Sequence, residues 1–219
     1  MKKHGKRVVL VGSILLVAFA IWTTLIQMID VQLIGPNGTK VGFATWNGLF
    51  HKWTGVHMTI YTITDWLGLV PILVCMIFAM IGLVQLIKRK SILKVDLDII
   101  LLGVYYILVI AAYLIFEMIP INYRPILIEG VIEVSYPSST TLLVLSVMPT
   151  LIFQAKRRFI NRTFRNIVCI FTYFYSAFMV ICRLLSGVHW LTDIVAGVLL
   201  SAGLFLIYVA TVEMWENRK

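Results

Sequence analysis

The sequence is poor in charge and poorest in acid. Only 13% of its 219 residues are charged, and Lys and Arg outnumber Asp and Glu by 19 to 10. With 60% hydrophobic residues and a mean hydropathy of +0.95, a soluble domain is excluded, because no aqueous fold hides that much apolar surface. The three cysteines, Cys75, Cys169 and Cys182, lie in or beside apolar runs and lack the spacing of a disulfide framework or a metal site. There is no internal repeat and no low-complexity segment. A net charge of +9 in a soluble chain would point to nucleic acid. Here the positive residues sit in short clusters between apolar runs, which excludes nucleic acid and makes the lipid bilayer the partner.

What is present is a series of apolar runs at about 8–29, 63–87, 97–116, 139–153, 167–185 and 190–212, the fourth of them short. A basic start and Ala18-Phe19-Ala20 fit a signal peptide, but the run continues through Ile29, so an uncleaved first span is expected. Residues 41–57 mix Phe43, Trp46, Phe50 and Trp53 with His51, Lys52 and His57, the composition of an interfacial helix or a re-entrant piece lying at the headgroups. Those two histidines read as wet surface residues, since no carboxylate or cysteine keeps metal spacing with them. Fifteen of the 19 Lys and Arg fall in the amino-terminal tail, the 88–94 loop, the 156–165 loop and the carboxyl tail. By the positive-inside rule these face the cytoplasm, with both termini. The expectation is an all-α integral membrane protein of six transmembrane helices, one domain overall. Residues 1–57 would form the tail, first span and outer segment, and residues 58–219 a five-helix core. A bacterial plasma membrane suits the basic inner loops; oligomeric state is not legible.

Polar chemistry then gathers at the outer face. Three segments reach it: Asn122-Tyr123-Arg124-Pro125, Tyr136-Pro137-Ser138-Ser139-Thr140, and the stretch from Cys182 to Asp193 with Arg183 and His189. His189 and Asp193 are four apart, so on a helix they would share a face and hydrogen-bond, which makes the imidazole a nucleophile or base. Two arginines, hydroxyls and backbone donors at a helix start make a phosphate site. No residues look placed to hold a metal. A small transporter is the general alternative for six spans, but these spans lack the midplane charges and broken helices of transporter sites.

These motifs resemble the type-2 phosphatidic acid phosphatase superfamily, membrane relatives of the vanadium haloperoxidases. Its signatures are Lys-x6-Arg-Pro, Pro-Ser-Gly-His and Ser-Arg-x5-His-x3-Asp. The third is kept at Arg183, His189 and Asp193, with Cys182 in the place of serine. The resemblance implies that His189 is the nucleophile, Asp193 its orienting partner, and Arg124, Ser138, Ser139, Thr140 and Arg183 the phosphate cradle. The substrate would be a membrane lipid phosphate, and no cofactor is implied. Two positions depart from the pattern: Glu117 replaces lysine, and Thr140 replaces the histidine that acts in the family as the acid. Three readings follow. The substrate can be a diphosphate such as a polyprenyl diphosphate, whose phosphate leaving group, with a second pKa of about 6, needs little protonation. Glu117 or Glu133 can serve as the acid, although Glu117 can equally be an interfacial charge or a partner for Arg124. Or the protein binds, carries or transfers lipid phosphates without hydrolysing them.

Overall fold

The structure is a computed structural model that describes residues 2–216, with side chains from residue 5 onward. Among these residues the regular elements are helical: α1 (Lys2–Met28), α2 (Ala44–Thr54), α3 (Met58–Leu67), α4 (Leu69–Arg89), α5 (Leu97–Met118), α6 (Ser139–Arg158), α7 (Arg162–Leu185) and α8 (Leu191–Glu216), with two short 3-10 turns. Extended backbone is limited to isolated bridges. Six helical stretches are long and apolar enough to cross a membrane, as the hydropathy pattern required.

The expected spans shift at their ends, each time for a visible reason. The second starts at Met58 rather than near residue 63, and α3 and α4 together form one 32-residue stretch interrupted at Gly68. Pro71 sits in the first turn of α4 and has no N–H to offer the Leu67 carbonyl one turn back. The Tyr175 hydroxyl on α7 donates to that carbonyl instead, at 2.7 Å. A proline in a membrane helix is tolerated when a neighbour supplies the missing donor. The fourth span does not stop at residue 153. It runs to Arg158, with Gln154, Arg157 and Arg158 held by Tyr208, Glu216 and Asp98.

That fourth span, α6, is the centre of the molecule: 61% of its membrane window is buried, against 17% for α1 and 22% for α5 and α7. Its low hydropathy follows from the position, since a helix wrapped by others need not be apolar all round. Tyr105 on α5 donates to the Ser146 carbonyl at 2.9 Å, and Tyr106 pairs with Thr150 at 2.7 Å. Gln154 donates to the Tyr208 hydroxyl on α8 at 3.0 Å. α1 lies against α8 where Gly12 and Gly203 oppose each other, and a Cβ on either glycine would stand 3.2 Å from the other's carbonyl oxygen. Small residues let two membrane helices approach closely and gain dispersion contacts.

Because the spans alternate in direction, the connections 29–57, 119–138 and 186–190 collect at one end, and the basic connections 90–96 and 159–161 at the other. The basic end is tied by ions: Arg158 to Asp98 at 2.7 Å and Asp96 at 3.4 Å, and Arg89 to Asp96 at 2.7 Å.

Candidate active site

At the other end, the short α7–α8 connection carries His189. Only Ser186 to Trp190 separate the two helices, and Gly187 turns the chain with φ +70°, a left-handed conformation natural to glycine. His189 therefore precedes α8, and the expectation of a helical pair with Asp193 does not hold. Nδ1 of His189 stands 3.9 Å from Asp193 Oδ2, beyond hydrogen-bond range. It meets the Ser135 carbonyl instead, at 3.1 Å.

Asp193 is fully engaged elsewhere. It is the third residue of α8, and its Oδ2 accepts from the Trp190 N–H at 3.1 Å, one arm of a capping box. Its Oδ1 accepts from Asn122 Nδ2 at 3.0 Å, and its backbone carbonyl accepts from Ser138 N at 3.1 Å. One buried carboxylate thus joins the 119–138 connection to the start of α8. Trp190 adds a bond from Nε1 to the Tyr123 carbonyl at 2.7 Å.

The Ser135 contact fixes the proton on His189. A carbonyl only accepts, so Nδ1 must carry the hydrogen and Nε2 the lone pair. Nε2 is buried and has no hydrogen-bond partner. Burial holds the imidazole pKa well below its ordinary value, and Arg124 and Arg183 push in the same direction. The ring is neutral, and its unpartnered Nε2 lies in the field of two cations.

Those cations share a platform that the sequence motifs did not announce. Arg183 and Arg124 lie over the Tyr61 ring of α3, at 4.7 and 5.6 Å from its centroid. Arg183 is 1% exposed; its Nη1 donates to Thr64 Oγ1 at 3.1 Å, and its Nη2 lies 3.6 Å from Asp65. Arg124 pairs with Glu133 through Nε at 2.8 Å, an ion contact without hydrogen-bond alignment. Glu133, and not Glu117, is therefore the carboxylate on Arg124. Nη1 of Arg124 and Nε of Arg183 remain buried without a hydrogen-bond partner. Two guanidinium groups with unused donors, near an imidazole with an unpartnered nitrogen, have the chemistry to hold a tetrahedral anion.

Ser138, Ser139 and Thr140 begin α6. Ser138 is fully buried and its Oγ accepts from Thr141 at 3.1 Å. Ser139 and Thr140 open onto a pocket of ≈ 280 Å³ whose other walls include Asp65, Tyr113, Leu69, Ile110 and Leu143. Glu117 lines a separate small space beside Ser139 and Tyr113. Of the residues expected from sequence, His189, Asp193, Arg183, Arg124 and Ser138 converge, Ser139 and Thr140 line the ≈ 280 Å³ pocket, Glu117 lines the separate small space, and Glu133 pairs with Arg124. Tyr61, Thr64, Asp65, Asn122 and Ser135 complete the arrangement. Only Asn122, inside a quoted motif, carried any signal; the others act through tertiary contact or a backbone carbonyl.

Sequence comparison places residues 113–217 in the PAP2 superfamily. The match covers 105 of the 219 residues, just under half of the chain. The PAP2 segment contains Arg124, Ser138 to Thr140, Arg183, His189 and Asp193, and omits α1 to α4. No curated protein matches the chain in sequence. Among solved structures, it is similar to the crystal structure of a transmembrane PAP2-type phosphatidylglycerolphosphate phosphatase from Bacillus subtilis, with a TM-score of 0.61 and 17% identity over 95% of this chain and 97% of that one. The likeness extends the shared fold to the helices outside the PAP2 segment.

Proposed function

We propose that the protein is a membrane lipid phosphatase that attacks phosphorus with Nε2 of His189 and favours a lipid diphosphate, with a polyprenyl diphosphate as the leading substrate. The observation that carries this reading is the buried, unpartnered Nε2 of an imidazole that feels the charges of Arg124 and Arg183, both of which have unused donors. A terminal phosphate enters the cradle, and the arginines take its oxygens. The Nε2 lone pair forms an N–P bond while the bond from phosphorus to the bridging oxygen breaks. That oxygen leaves with its electron pair as the lipid monophosphate. The phosphorylated imidazole keeps its Nδ1 proton on the Ser135 carbonyl, and its new positive charge is met by Asp193 at 3.9 Å. Water then attacks phosphorus, restores Nε2 and releases inorganic phosphate.

Thr140 is why a diphosphate is favoured. A threonine hydroxyl is no acid at ordinary pH, and expelling an alkoxide needs one. A phosphate leaves without that help. The apolar walls of the ≈ 280 Å³ pocket beside Ser139 and Thr140 suit the first units of a lipid tail. The clustering of basic loops at the opposite end supports an outward-facing site and cytoplasmic termini in a bacterial plasma membrane. Thr140 also supports a second reading, a protein that holds or transfers lipid phosphates without hydrolysis.

Phosphate release by the full chain in detergent tests both, with polyprenyl diphosphate, phosphatidic acid and phosphatidylglycerol phosphate as substrates. The wild type releases phosphate fastest from the diphosphate, and His189→Ala reduces this by about 10³-fold or more. Thr140→His raises the rate on the monoesters by about 10²-fold, the scale of one acid. Release only in Thr140→His would establish the binding protein.

A further inference from the structure

The loop bearing His189 is held from two sides. The 119–138 connection holds one side through Asn122, Tyr123 and Ser135, all inside the PAP2 segment. The other side is held by α2 and its flanks, which lie wholly outside residues 113–217. Asn47 is 1% exposed, and its Nδ2 donates to Thr192 Oγ1 at 3.0 Å and to the Gly42 carbonyl at 2.8 Å. Its Oδ1 accepts from Thr192 N at 3.3 Å. His51 Nε2 lies 3.1 Å from the Gly187 carbonyl and, since a carbonyl only accepts, donates to it. The His51 ring also leans on Trp190, centroid to centroid 5.6 Å. The backbone N–H of His57 donates to the Ser186 carbonyl at 3.0 Å. A Cβ at Gly187 would overlap the Gly55 carbonyl oxygen, so the two chains touch backbone to backbone.

We propose that α2 positions the nucleophile: His51 and Asn47 fix the Gly187 carbonyl and Thr192, and through them the line along which His189 Nε2 meets phosphorus. Glycine opens to the peptide at 187 conformations that other residues rarely adopt, and His189 follows two residues later. Without the His51 donor the Gly187 carbonyl has no side-chain partner, and the loop gains conformations in which Nε2 is out of line. A displacement of about 1 Å at a reacting atom can cost about 10²-fold in rate. His51 and Asn47 are positioning residues, since neither needs to touch substrate. The inference rests on the reading of His189 as the nucleophile.

The test separates donor from ring. His51→Gln keeps an N–H for the Gly187 carbonyl, whereas His51→Phe keeps a ring against Trp190 and loses the donor. With the full chain in detergent and polyprenyl diphosphate as probe, His51→Phe lowers kcat about 10-fold or more with KM within about 2-fold, and His51→Gln stays near wild type. Asn47→Ala behaves as His51→Phe where thermal unfolding shows it folded. Equal kcat for the Gln and Phe variants, whether both high or both low, overturns the proposal. A second readout does not depend on turnover: the rate at which diethyl pyrocarbonate modifies His189, followed by peptide mass spectrometry. His51→Phe raises that rate several-fold and His51→Gln leaves it unchanged; identical rates again overturn the proposal. A wild type that releases no phosphate from any lipid defeats the phosphatase reading instead, and the modification rates still decide the positioning role.

Discussion

The Ser135 carbonyl does at His189 what a carboxylate was expected to do. It holds the Nδ1 proton at 3.1 Å, while Asp193 spends its oxygens on Trp190 and Asn122 and acts on the ring from 3.9 Å. The imidazole is thereby kept neutral and oriented without a second buried charge in direct contact. Its depressed pKa has a consequence for stability. Below about pH 6.5 the unfolded chain protonates His189, whereas the folded chain, where burial and two arginines oppose the charge, does not. The unfolded state then binds more protons, so stability falls as pH drops through about 6.5 toward the folded-state value. Thermal unfolding followed from pH 8 to 5 shows this decline in the wild type and a smaller one in His189→Gln. Equal slopes in the two proteins would show that other groups carry the effect.

Among the elements, the α7–α8 connection is the most constrained. Three constraints meet at Gly187: a φ of +70°, the nearby Gly55 carbonyl, and the bond from His51. Gly187→Ala must strain the backbone and move residues 55–56, at a cost of about 1–3 kcal/mol. A lowered unfolding temperature together with a loss of phosphate release is the expected result. An alanine variant with wild-type stability would mean that the loop relaxes freely. At the next element, α3 contributes Tyr61, Thr64 and Asp65 to Arg183 from a segment assigned in the sequence to the edge of a span. Only packing against α7 reveals that face, since those three residues match no motif.

Across the whole molecule, the polarity of the two ends is the main organising fact. One end holds Arg124, Arg183, His189 and Asp193. The other holds Lys88, Lys90 and Lys94 and the ion pairs of Arg89, Arg157 and Arg158 with acidic partners. With the native cysteines replaced, Asn37→Cys is expected to react in intact cells with a thiol reagent that cannot cross membranes, and Ile92→Cys only after lysis. The reverse pattern would turn the site toward the cytoplasm.

The sequence by itself determined the solvent and the six spans, and it singled out Arg124, Arg183 and His189 as candidates for a phosphate site. Apolar length, loop charge and side-chain chemistry are local properties, readable one stretch at a time. It could also show where the PAP2 pattern is broken, at Glu117 and Thr140. Only the tertiary structure decided that Glu133 takes Arg124, that a carbonyl takes the His189 proton, and that Tyr61 carries both arginines. It also decided that α6, with its modest hydropathy, is the central helix, and that α2 reaches the loop bearing His189. Each of these depends on groups far apart in the chain meeting in low-dielectric surroundings, where an unsatisfied donor or charge is costly and partners are chosen by geometry.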